Sequence, residues 1–135
     1  MEFYTGGLAR LDGDVIVVED DALLGELLCE IVREMGGNAI GFTSADDALM
    51  HMLKAPAPPY LVITDHLLPG QLTGVELAGM VTQRWPHLPV VVTTGYSFGA
   101  HDVLPAGVRF LAKPWSLEQL VETVTALMPE HASAS

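Results

Sequence analysis

Apolar residues fall in short runs, and runs of two different kinds alternate along the chain. Val15-Val18, Tyr60-Thr64, Val90-Thr94 and Val108-Ala112 are apolar at successive positions instead of every second one, as strands covered on both faces must be. They predict a parallel sheet. A fifth run, Asn38-Thr43, is weaker and sits between helical patterns, as an edge strand would. Between the strands, apolar positions return at intervals of three and four: Leu24, Leu27, Leu28, Ile31, Met35; Ala48, Leu49, Met52; Val75, Leu77, Ala78, Val81; and Leu117, Leu120, Val121, Val124, Leu127. That is the period of amphipathic helices. Ser44-x-x-Asp47, Thr73-x-x-Glu76 and Ser116-x-x-Gln119 each place a hydroxyl where it can accept from an unsatisfied first-turn amide, which marks three helix starts.

Strand and helix in alternation predict an open, doubly wound α/β sheet, and right-handed crossovers leave few topologies. The expected architecture is a five-stranded parallel sheet in the order 2-1-3-4-5. In that order the chain reverses direction across the sheet between strands 1 and 3, so a ligand crevice opens at their carboxyl ends. The stretch Ala55-Pro56-Ala57-Pro58-Pro59 and the tail after Met128 read as loops or linkers.

With 135 residues, half of them apolar, the chain can bury one ordinary core, and one domain is expected. No run approaches the ~18 apolar residues of a membrane span. Residues 1–13 lack the basic start and apolar stretch of a secretory signal, and a cytoplasmic setting without membrane contact is expected. The single cysteine, Cys29, has no Cys or His at metal-ligand spacing and reads as a buried helical thiol. Seventeen acidic side chains against six Lys and Arg give a formal charge of −11. Such a surface repels a phosphate backbone, so no nucleic-acid partner is expected.

The chemistry gathers at the predicted crevice. Strand 1 ends in Glu19-Asp20-Asp21 and strand 3 in Asp65. Folds that bind a nucleotide phosphate there carry a Gly-rich loop with bare amides; here the sign is inverted. Two carboxylates ~5 Å apart repel by roughly 3 kcal/mol at an effective dielectric of 20, so the cluster implies a hard divalent cation, and Mg2+ suits it. Asp21 alone reads as well as a helix cap and is left out of the core site. Strand 4 ends in Thr93-Thr94-Gly95 and strand 5 in Lys113-Pro114. A hydroxyl and an ammonium facing carboxylates could hold two phosphoryl oxygens while the metal holds a third, with Asp65 as the nucleophile.

Four blocks, Val15-Ile-Val-Val-Glu-Asp-Asp21, Leu61-Val-Ile-Thr-Asp-His-Leu-Leu-Pro69, Pro89-Val-Val-Val-Thr-Thr-Gly95 and Phe110-Leu-Ala-Lys-Pro114, resemble the signature blocks of response-regulator receiver domains. The resemblance spans residues 14–128, with 1–13 and 129–135 as tails, and implies a flavodoxin-like fold. It further implies that Asp65 is the phosphoacceptor, Asp20 a direct Mg2+ ligand, Glu19 a ligand through water and Leu67 a ligand through its backbone carbonyl. By the same resemblance Thr94 is the switch hydroxyl, Lys113 the phosphate-binding cation and Phe110 the switch aromatic. The implied function is a two-component phosphorelay: a histidine kinase or phosphotransfer protein supplies the phosphoryl group, and a downstream protein effector reads the altered surface. The domain would catalyse only its own phosphorylation and dephosphorylation.

Three departures qualify the pattern. Gly74 follows Asp65 by nine residues, one more than in the commonest members, and Glu stands at position 19 where Asp is commoner. The connection from Thr94 to Lys113 is about three residues shorter than usual; with Gly99, Pro105 and Gly107 in it, a short or irregular fourth helix is expected between strands 4 and 5. Leu67 and Tyr96, two positions beyond Asp65 and Thr94, flank the path of attacking water and are expected to tune dephosphorylation. Haloacid-dehalogenase-like phosphatases also phosphorylate an aspartate, but they carry a second acid two residues on, where this chain has Leu67.

Overall fold

The computed structural model describes residues 10–95 and 107–128. Five parallel strands, β1 (Asp14–Val18), β2 (Asn38–Phe42), β3 (Leu61–Asp65), β4 (Val90–Thr94) and β5 (Val108–Ala112), form one sheet in the order β2-β1-β3-β4-β5. Four helices among the described residues accompany them: α1 (Ala22–Glu34), α2 (Ala45–Lys54), α3 (Gly74–Arg84) and α4 (Leu117–Leu127).

The unbroken apolar runs have the predicted cause. In β1, Val15 and Val17 pack toward α1 and α4 while Ile16 and Val18 pack toward α2 and α3; in β3, Leu61 and Ile63 separate from Val62 in the same way. Period-two alternation thus feeds two cores from each central strand. All five residues of β3 and of β4 are buried. β5 lies at the sheet edge, as the order 2-1-3-4-5 requires, but its faces are less covered than its apolar run predicts, and Arg109 and Ala112 are exposed. β2 forms the opposite edge, as its weaker pattern predicts.

Helix starts fall where hydroxyls and carboxylates meet first-turn amides. Ser44, Thr73 and Ser116 accept from the amides of Asp47, Glu76 and Gln119, and Thr73 and Ser116 complete reciprocal capping boxes. Asp21 caps α1, its Oδ1 accepting from Leu24 N at 3.0 Å. Beyond the Met35 C-cap of α1 stands Gly36, whose φ of +95° only glycine adopts without strain. Cys29 is buried on α1, and burial raises its thiol pKa. Leu11 is fully buried and its amide donates to Met35 O at 3.0 Å, so the chain joins the core before β1 begins; Met128 is fully buried at the other end. No helix among the described residues is long and apolar enough to cross a membrane. The expected irregular helix between β4 and β5, and with it Tyr96, lies outside the described residues.

Candidate functional site

Strand register brings the chemistry together. Val18 pairs with Thr64, Asp65 with Thr93 and Thr94 with Ala112, so Glu19, Asp65, Thr94 and Lys113 emerge side by side at the carboxyl edge. The site stands over the reversal between β1 and β3, where an open α/β sheet offers its crevice.

Asp65 is nearly buried, and both of its oxygens are engaged. Oδ1 accepts from His66 N at 2.8 Å and Oδ2 from Lys113 Nζ at 3.1 Å. Glu19 is buried beside it, with Oε2 accepting from Asp21 N at 3.0 Å and Oε1 from Lys113 Nζ at 3.3 Å. Asp20 is exposed, yet one ligand oxygen from each of Glu19, Asp20 and Asp65 lies within 4.8 Å of the others. Asp21 turns away to its cap, so three of the four adjacent carboxylates converge. A cavity of about 400 Å3 opens onto this group, lined by Asp65, Leu67, Thr94, Gly95 and Lys113. Thr94 is buried at its wall. Phe110 pairs in register with Val92 and packs with it on the α2–α3 side. Alternation from Val92 places Thr94 on that same face.

The electrostatics are those of a site short of positive charge. Burial pushes the Glu19 carboxyl above its ordinary value; the Asp21 amide and Lys113 oppose this, and the charge of Asp65 adds to it. Burial works against the Lys113 charge, but the hydrogen bond to Asp65 and the charges of Glu19 and Asp65 outweigh it and raise its pKa. Lys113 is therefore a fixed cation. Three carboxylates against one ammonium leave two negative charges when all are ionised. An all-oxygen donor set of that charge, open on one side, fits a hard divalent ion that keeps some of its waters.

The Lys113–Pro114 peptide is cis. Two contributors were invisible in the sequence. The His66 amide is a backbone donor and leaves no side-chain signal. Asp46, in the first turn of α2, accepts from the amides of Gln71 and Leu72 in the β3–α3 loop; only the tertiary fold brings these segments together.

Residues 15–125 match the family model described as response regulator receiver domain, and the chain belongs to that family, a signalling domain of two-component systems. It is 34% identical over 115 residues to the response regulator protein FleR of Pseudomonas aeruginosa, an alignment covering 82% of this chain and 23% of FleR. It is 31% identical to the hydrogenase transcriptional regulatory protein HoxA of Cupriavidus necator, covering 82% of this chain and 23% of HoxA. The chain thus spans about a quarter of the length of these curated relatives. Among solved structures, the response regulator protein TrrA of Thermotoga maritima, in complex with Mg2+-BeF, is 26% identical with a TM-score of 0.73, covering 85% of this chain and 98% of TrrA. HoxA is named for transcriptional regulation, so the expectation of no nucleic-acid partner is confined to the segment described above.

Proposed function

We propose that this domain, residues 14–128, accepts a phosphoryl group on Asp65 in a Mg2+-dependent reaction and passes the signal on through a changed surface. The observation that carries the reading is the bridge from Lys113 Nζ to both Asp65 and Glu19 at the mouth of the Thr94-lined cavity. Asp65 forms the new oxygen–phosphorus bond as the bond to the donor's leaving group breaks. Lys113 leaves its carboxylate partners for one phosphoryl oxygen, and the Thr94 hydroxyl donates to another. Asp65, Asp20, the Leu67 carbonyl and, through water, Glu19 would hold Mg2+, which would supply positive charge toward a third phosphoryl oxygen. Little other catalytic machinery is required, because phosphoryl transfer is governed by positioning and charge.

Thr94 and Phe110 share one face of neighbouring strands, which supports their role as a coupled switch: a hydroxyl drawn to the phosphoryl group vacates space that the ring can enter. A histidine kinase or phosphotransfer protein is the donor. The apolar rim beside the cavity, with Leu23 and Leu27 exposed on α1 and Pro114 and Trp115 next to Lys113, supports docking of such a partner; a downstream protein effector reads the result in the cytoplasm. The metal assignment is tested by titrating Mg2+ into Asp20→Ala and Glu19→Ala. Asp20→Ala should lose more affinity, because a ligand acting through water is more easily replaced; equal losses would contradict the assignment.

A further inference from the structure

The β3–α3 connection, from Asp65 to Gly74, is fastened at its base and at its tip by different parts of the fold. At the base, Gly74 N donates to His66 O at 2.8 Å and His66 N to Thr93 O at 3.0 Å. At the tip, the Asp46 carboxylate reaches across from α2 and accepts from Gln71 N at 3.0 and 3.2 Å and from Leu72 N at 2.9 Å. Gly70 makes room for this approach: its φ is +99°, and a Cβ there would stand 3.1 Å from Asp46 Oδ1. Asp46 is in the first turn of α2, where the helix end favours negative charge. The amides of Gln71 and Leu72 hold its carboxyl below the ordinary range.

We propose that Asp46 is a positioning residue for the metal site, a clamp that fixes the loop tip and thereby holds Leu67 against the acid cluster. The inference rests on the reading of the Leu67 carbonyl as a Mg2+ ligand. Leu67 lies between the fastened base and the clamped tip and lines the cavity with Asp65. Without the clamp, Leu67 would have to be ordered at the moment of metal binding, and the lost backbone freedom would appear as weaker affinity. The carboxylate suits the task because both of its oxygens accept and its charge strengthens each bond. An asparagine offers one acceptor oxygen only.

The test is a Mg2+ titration of the full chain, followed by tryptophan fluorescence, for the parent, Asp46→Ala, Asp46→Asn and Asp47→Ala. Asp47→Ala removes the same charge from the same helical turn, while the loop bonds belong to Asp46. Asp46→Ala should raise the Mg2+ Kd by about tenfold, the scale of outer-shell residues at metal sites, and Asp46→Asn by about threefold. Asp47→Ala should change it by less than about twofold, as a distant, screened charge does. Phosphorylation at saturating Mg2+ should match the parent in all variants, since the clamp acts on affinity and not on the transfer. In metal-free protein, hydrogen exchange at Gln71 and Leu72 should accelerate in Asp46→Ala, less in Asp46→Asn, and not in Asp47→Ala. Equal Kd shifts for the two Ala variants, or unchanged exchange at those amides, would overturn the clamp. A parent that binds no Mg2+ would overturn the functional reading instead, and the exchange measurement would still decide whether Asp46 fixes the loop.

Discussion

Lys113 Nζ lies 3.1 Å from Oδ2 of Asp65 and ties the end of β5 to the end of β3 across the intervening strand. The same ammonium is 3.3 Å from Glu19. Lys113 therefore neutralises part of the acid cluster in the absence of metal, and it competes with any cation that enters.

That competition has a sign. Lys113→Met should tighten Mg2+ binding, by about threefold to tenfold once solvent screening of a partly exposed ammonium is allowed for, and should slow phosphorylation by at least ~10-fold through loss of a charge aimed at the phosphoryl oxygens. Metal titration and phosphodonor kinetics on one variant check both. Weaker metal binding with unchanged kinetics would remove Lys113 from this role.

The buried Glu19 carboxyl gives a pH signature. A group whose folded pKa is raised contributes stability that is present below its ordinary value, here 4.5, and lost as pH rises through the folded pKa. Glu19→Gln does not titrate. In chelator, the melting temperature of Glu19→Gln relative to the parent should therefore rise as pH goes from about 4.5 to 7, and Mg2+ should restore the parent at pH 7. A difference that stays flat or falls with pH would be inconsistent with a carboxyl raised by burial. Asp46, shifted the other way, acts below its ordinary 3.8, where its stabilisation is lost as pH falls. It leaves the Glu19 window undisturbed.

Two glycines of α3 should respond oppositely to alanine. A Cβ on Gly74 would overlap the Asp65 carbonyl oxygen and stand 2.8 Å from its carbonyl carbon and 2.9 Å from His66 Cα, all backbone; Gly74→Ala should cost about 3 kcal/mol and displace Asp65. A Cβ on Gly79 meets nothing within 4 Å, so Gly79→Ala should stabilise the helix by about 0.5–1 kcal/mol. Denaturant unfolding of both variants checks the contrast.

Much of this was legible in the sequence because the signals are local. Unbroken apolar runs announced strands covered twice, and hydroxyls three residues ahead of Asp47, Glu76 and Gln119 announced helix starts. Topology then followed from few allowed connections, and it placed Glu19, Asp20, Asp65, Thr94 and Lys113 at one edge. What was not legible depends on contacts between distant segments. Asp46 reads as an ordinary acid in a first helical turn until the fold sets it against Gln71 and Leu72. Leu11 reads as part of a tail until its amide finds Met35. β5 reads as a buried strand because Phe110 and Leu111 dominate its pattern, although Arg109 already signals an edge.

Leu67 is half-exposed at the cavity wall, and Tyr96 follows Thr94 by two residues. We propose that the apolar Leu67 hinders in-line water there, and neither Leu67 nor Tyr96 supplies a carboxylate to orient it. The double variant Leu67→Asn, Tyr96→Glu should therefore lose its phosphoryl group faster than the parent, by about tenfold or more if general-base assistance is gained. The decay of phosphorylated protein after donor removal measures this, and equal lifetimes would refute it.

Asp65 is proposed to carry the phosphoryl group. Protein treated with acetyl phosphate and Mg2+, then reduced with borohydride, converts an acyl phosphate into the corresponding alcohol, which peptide mass spectrometry locates to a single residue. Reduction is expected at residue 65 alone, lost in Asp65→Asn and in excess chelator. Reduction at Asp20 or Glu19 instead, or at residue 65 undiminished in chelator, would contradict it.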